Sequence, residues 1–76
     1  MTSFTIYKPQ TVVPPGHVYI KQGHTVFDVQ VKNGIYRYKN IYIFGASLHM
    51  QSNTAHALHD YSMARALVTF LQSQGY

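Results

Sequence analysis

Few residues in this chain have types that do chemistry. Its 76 residues include five His and two acidic side chains, Asp28 and Asp60, with no Cys. A thiolate nucleophile, a disulfide framework and a cysteine zinc site are therefore excluded, histidine is the only soft ligand, and the redox compartment is left open. His49, His56 and His59 gather near the start of the last segment with Asp60 beside them, and His56 and His59 stand one helical turn apart. A zinc site needs three or four ligands in fixed geometry with supporting outer contacts, and this spacing matches no such motif. The expectation is solvated helix positions, with His56 and Asp60 as a weak surface pair, and neither metal nor cofactor. Neither Asp stands with a Ser and a His in a triad-like arrangement, and no Gly-rich phosphate cradle is present, so the chain is expected not to be an enzyme.

Charge and aromatic content offer more. Six Lys and Arg against two acids give a formal charge of +4, which His protonation raises in mild acid, and the pI is about 9.6. Such a balance favours acidic partners: nucleic acid, an anionic membrane surface or an acidic protein groove. Apolar residues at 46% with charged residues at 11% argue for a folded chain and against disorder. No stretch approaches the roughly 20 apolar residues that cross a bilayer, and Met1 to Gln10 lacks a basic start followed by an apolar block. The last segment carries only Arg65 as a formal cation, so attachment to a membrane surface is not expected. The expected protein is soluble, unprocessed and cytoplasmic.

Positioning these side chains falls to one small unit spanning 1–76, with no internal repeat or linker. Ser3 to Lys8 alternates Phe4 and Ile6 with Thr5 and Tyr7, a half-buried strand stopped by Pro9. Gln10 to Gly16 is a connection. His17 to Gln22, Thr25 to Lys32 and Ile35 to Phe44 are β-rich runs separated by Gly23-His24 and Asn33-Gly34, which suit type II′ and type I′ turns. Counting outward from the turns sets Ile20 opposite Phe27, Val18 opposite Val29, Val31 opposite Tyr36 and Val29 opposite Tyr38. One face is then apolar, while the other receives His17, Tyr19, Lys21, Val26, Asp28, Gln30, Lys32, Ile35, Arg37 and Lys39. An alternative breaks the third run at Lys39-Asn40 and makes Ile41 to Phe44 a separate strand. Gly45 to Gln51 reads as a bulged continuation or as an ordered loop.

From an N-cap at Asn53, Ala55 to Gln74 reads as one helix, with Ala57, Tyr61, Ala64, Leu67, Val68 and Leu71 as its apolar stripe. The fold class expected is α+β: an antiparallel β-meander of three to four strands with one C-terminal helix packed on one face. The helix should cover Val18, Ile20, Phe27, Val29 and Tyr38 and leave the basic face in water.

That face supplies the candidate binding residues Lys21, Lys32, Arg37, Lys39, Tyr19 and His17, with Gln30 among them. Sheets of this kind contact phosphates with their cations and stack bases on their aromatics. The blander reading is that the cations only keep an open sheet wet, with Asp28 paired across to Lys39. The seven Tyr and four Phe divide similarly. Tyr36, Tyr38, Tyr42 and Phe44 read as core and rim, while Tyr7, Tyr19, Tyr42 and Tyr76 read as interface anchors. The function expected is a non-enzymatic module that engages nucleic acid, or an acidic or nucleic-acid-handling protein complex. In size and composition the chain is also similar to small phage-encoded inhibitors, anti-CRISPR proteins among them. That resemblance carries over no residues, and it implies a protein that blocks a host complex through aromatic contacts. An edge strand could further pair two copies into a homodimer.

Overall fold

A computed structural model describes residues 3–44, 47–50 and 57–76. The architecture is α+β, an antiparallel meander with one C-terminal helix. The sheet is wider than the three to four strands expected. Five strands, β1 (Thr5–Tyr7), β2 (His17–Gln22), β3 (Thr25–Lys32), β4 (Ile35–Tyr38) and β5 (Ile41–Phe44), lie side by side in chain order. Ser47–Met50 adds β6 beyond β5, so the segment after Phe44 returns as a strand. The helix α1 runs Ala57–Ser73. The expected cap Asn53 and the side chain of Ala57 lie outside the described residues.

Both counted hairpins form. Ile20 pairs with Phe27 and Val18 with Val29, and across the next turn Val31 pairs with Tyr36 and Gln30 with Arg37. Asn33 and Gly34 both take positive φ, 52° and 78°, as a type I′ turn requires, and Gly23 takes 61° at the first position of its turn. The expected third strand is two strands. Lys39 has φ 54° and reverses the chain, so that Tyr38 pairs with Ile41 and Tyr36 with Ile43. This matches the shorter alternative, and it changes which residues face the core. In an unbroken strand Tyr42 and Phe44 would share a face with Tyr36 and Tyr38; across a two-residue turn, Ile41 and Ile43 take that face instead.

The core lies between the sheet and α1. Ile20, Val29, Tyr36, Tyr38, Ile41 and Ile43 are buried from the sheet, and Ala64, Leu67, Val68 and Leu71 from the helix, whose densest sheet contacts are with β5. The spacing of the helical four puts them in one stripe, and His59, Ser62, Thr69 and Gln72 are exposed. Phe4 extends the core beneath β1, with its ring 6.3 Å from Phe27 and 5.7 Å from Phe70. At the helix end Tyr76 N donates to Leu71 O and Gly75 N to Gln72 O, while Gly75 takes φ 89°. That is a Schellman cap, which satisfies the last carbonyls and wants a glycine at the left-handed position. The connection before β2 is tied down by Val31 N donating to Gly16 O at 2.7 Å.

Candidate binding face of the sheet

Strand register fixes which side chains stand together on the side away from α1. Across the sheet the partners form rows: Thr5, Lys21 and Val26; Tyr7, Tyr19 and Asp28; His17, Gln30, Arg37 and Tyr42; Lys32, Ile35 and Phe44. Each of these thirteen residues is exposed or half-buried, and none belongs to the buried core. Five of the six candidate residues, His17, Tyr19, Lys21, Lys32 and Arg37, therefore share one face.

Lys39 does not join them. Its Nζ donates to Asp60 Oδ1 of α1 at 3.2 Å and lies 5.4 Å from the centre of the Tyr38 ring, on the covered side. The hairpin at Lys39-Asn40 takes this residue out of the strand and turns its side chain to the helix. The Asp60 hydrogen bond is the main reason its ammonium is held above the ordinary 10.5, with Tyr38 adding to the effect and desolvation opposing it. The expected pairing of Asp28 with Lys39 is also corrected, because Asp28 Oδ1 lies 2.8 Å from His17 Nδ1. Asp60 is the partner of Lys39, and its expected pairing with His56 lies outside the described residues.

The face is divided electrostatically. Along β3 the outward residues run Val26, Asp28, Gln30, Lys32. At about 3.3 Å per residue, Lys21 beside Val26 lies roughly 20 Å from Lys32. The Asp28–His17 pair sits between them, so the only carboxylate on the face separates the Lys21 corner from the other two cations.

At that other end the chemistry is concentrated. Arg37 is held by two contacts: Nε donates to Lys39 O at 3.1 Å, and the guanidinium carbon lies 5.2 Å from the centre of the Tyr42 ring on the adjacent strand. Gln30, Lys32, Ile35, Arg37, Tyr42 and Phe44 border an open concavity of about 410 Å³. Phe44 leaves 43% of its surface in water, and the Lys32 side chain is exposed. At the far edge Lys21 Nζ lies 5.5 Å from the centre of the Tyr7 ring, giving a second, smaller pairing of cation and aromatic.

The sequence places Ile35 on the outward face and Tyr42 among both core and interface candidates but gives Phe44 to the core and its rim, so Phe44 is the part of this concavity that it misses. The available signal was Asn40 after Lys39, a turn-compatible residue in the middle of a long β-rich run. Of the proposed histidine cluster, the side chains of His49 and His56 lie outside the described residues. Among the described residues no three His, Cys, Asp or Glu side chains gather as a metal site, and no helix is long and apolar enough to cross a membrane. No protein-family model, no curated protein and no solved structure matches this chain.

Proposed function

We propose that this chain is a non-catalytic binding module whose outward sheet face contacts a polyanion, with nucleic acid as the ligand class. The observation that supports the reading is placement: a single helix covers one side of the sheet, while Lys21, Lys32 and Arg37 stand on the other against one carboxylate already engaged by His17. Lys32 and Arg37 supply the main phosphate contacts, Gln30 and Tyr19 hydrogen-bond, and Lys21 adds a weaker, separate contact. Lys39 is left out of the binding set.

A second reading keeps the same face and changes the partner. Val26 and Phe44 expose 47% and 43% of their surfaces, and exposed apolar side chains beside tyrosines also suit the surface of a protein complex. Salt separates the two. With the double substitution Lys32→Glu and Arg37→Glu, affinity for an oligonucleotide should fall at least about tenfold, and its salt slope should become shallower by roughly 1.4 for a single strand, at about 0.7 per phosphate contact. Lys39→Gln should leave both unchanged. Unchanged affinity and slope in the double variant would remove nucleic acid as the ligand. Recovery of a nuclease-resistant protein complex that the same double variant still captures would favour the second reading.

A further inference from the structure

The polyanion reading leaves open whether the ligand is a duplex, a single strand or any chain of phosphates. Resting on that reading, we infer that the face binds single-stranded nucleic acid, with an unpaired base held against Tyr42 and Phe44 and the adjoining phosphates against Lys32 and Arg37. The shape of the sheet argues first. Six strands at about 4.8 Å spacing make a surface roughly 24 Å across, whereas the major groove of a duplex is about 12 Å wide and admits a helix or a two-stranded ribbon. A sheet this broad meets a duplex only along its backbones. A single strand can lie flat on it.

The placement of the aromatics argues second. Tyr42 and Phe44 are outward residues of β5, and their β4 partners are Arg37 and Ile35. The concavity therefore has an apolar floor at Ile35 and aromatic side chains along β5, with Lys32 at the end of β3 beside it. Arg37 lies over the Tyr42 ring with its Nε anchored to Lys39 O. Its guanidinium plane is thus oriented beforehand, and a planar group can stack on a fixed guanidinium as it does on a ring. A bare polyphosphate would use the cations and leave Tyr42, Phe44 and Ile35 without a role. A base attached to its phosphate uses both sets. The Asp28 carboxylate sets the direction, since it repels phosphates from the middle of β3 and confines them to the Lys32 and Arg37 end.

The test measures binding of the intact chain to three probes: a single-stranded oligonucleotide, a hairpin duplex of the same composition and inorganic polyphosphate. Phe44→Ala and Tyr42→Leu are each compared with wild type, and circular dichroism confirms that the fold is retained. Tyr42→Leu keeps apolar bulk at a half-buried position, so it serves if the smaller side chain at Phe44 disturbs the sheet. Single strands should bind at least about tenfold tighter than the other two probes, and each substitution should weaken single-strand binding about fivefold or more without affecting the polyphosphate. Equal binding of all three probes, with the Lys32→Glu and Arg37→Glu double variant weakened on each, would overturn the base-stacking inference and leave the polyanion reading standing. Folded variants that bind single strands as tightly as wild type would overturn it as well. Failure of all three probes to bind would remove both.

Discussion

Along β5, Ile41 and Ile43 are 1% and 0% exposed, while Phe44, the next residue, is 43% exposed and Tyr42 is half-buried on the same outward side. The two sides of this strand are thus built from interleaved residues of similar apolarity, yet only one of them is packed against the helix. Composition along the strand does not separate them, because Ile, Tyr, Ile and Phe are all good strand and core residues. The separation comes from parity. Once the chain turns at Lys39-Asn40, every second residue from Ile41 is committed to α1 and the others to the surface.

Neighbouring substitutions give the largest test of that contrast. Ile43→Ala removes a fully buried side chain from the interface with Leu67, Val68 and Leu71, and should cost about 2–5 kcal/mol. Stability at this size is on the order of 4–11 kcal/mol, so the variant should show a strongly lowered denaturation midpoint or be largely unfolded. Phe44→Ala, one residue on, should change stability by less than about 1 kcal/mol. Equal losses in urea unfolding would mean that the two faces are not distinct.

The turns provide a test of intermediate size. Gly34 has φ 78° and nothing within 4 Å of where a Cβ would stand, so a substitution there meets backbone strain but no clash. Gly34→Val should therefore cost roughly 1–3 kcal/mol, through the left-handed conformation alone. The loss should reach both faces, because this turn sets the register that sorts them. A variant as stable as wild type would show that the strands hold the register without help from the turn.

Much of this was legible in the chain because glycine marks two of the turns. Gly23 and Asn33-Gly34 have few other uses between β-rich runs, and counting from them gives the β2–β3 and β3–β4 pairings directly. The helix is equally plain, since its stripe repeats at three and four residues and Gly75 ends it. The hairpin at Lys39-Asn40 was harder to find because Lys occupies the position that Gly23 fills in the first turn, with φ 54° against 61°. A residue of poor intrinsic preference is held there by the ring of its neighbour Tyr38 and by one contact far away in sequence, Asp60, 21 positions on. Asn40 is the local trace and supports the shorter alternative, but nothing local chooses it over an unbroken strand, and the candidate site inherits that ambiguity. An unbroken strand puts Lys39 on a face it leaves and gives Phe44 to the core, away from the concavity it helps to line.

Lys39 also gives the smallest and most specific test of the contrast, since it is the cation removed from the open side to the covered one. Its partner Asp60 raises the pKa above 10.5, so the folded state holds that proton more tightly than the unfolded chain does. The pair's contribution is then fully present below 10.5 and is lost as pH rises through the higher folded-state value. With the Lys39 side chain 58% exposed, the coupling should be only about 0.2–1 kcal/mol. A double-mutant cycle of Lys39→Met and Asp60→Asn should measure that amount near neutral pH and almost nothing in strong alkali. Lys39→Gly loses the same ion pair but relieves the positive φ, and should be more stable than Lys39→Met by up to about 1 kcal/mol. Coupling that persists unchanged in alkali would show that Lys39 and Asp60 interact by something other than the lysine's charge.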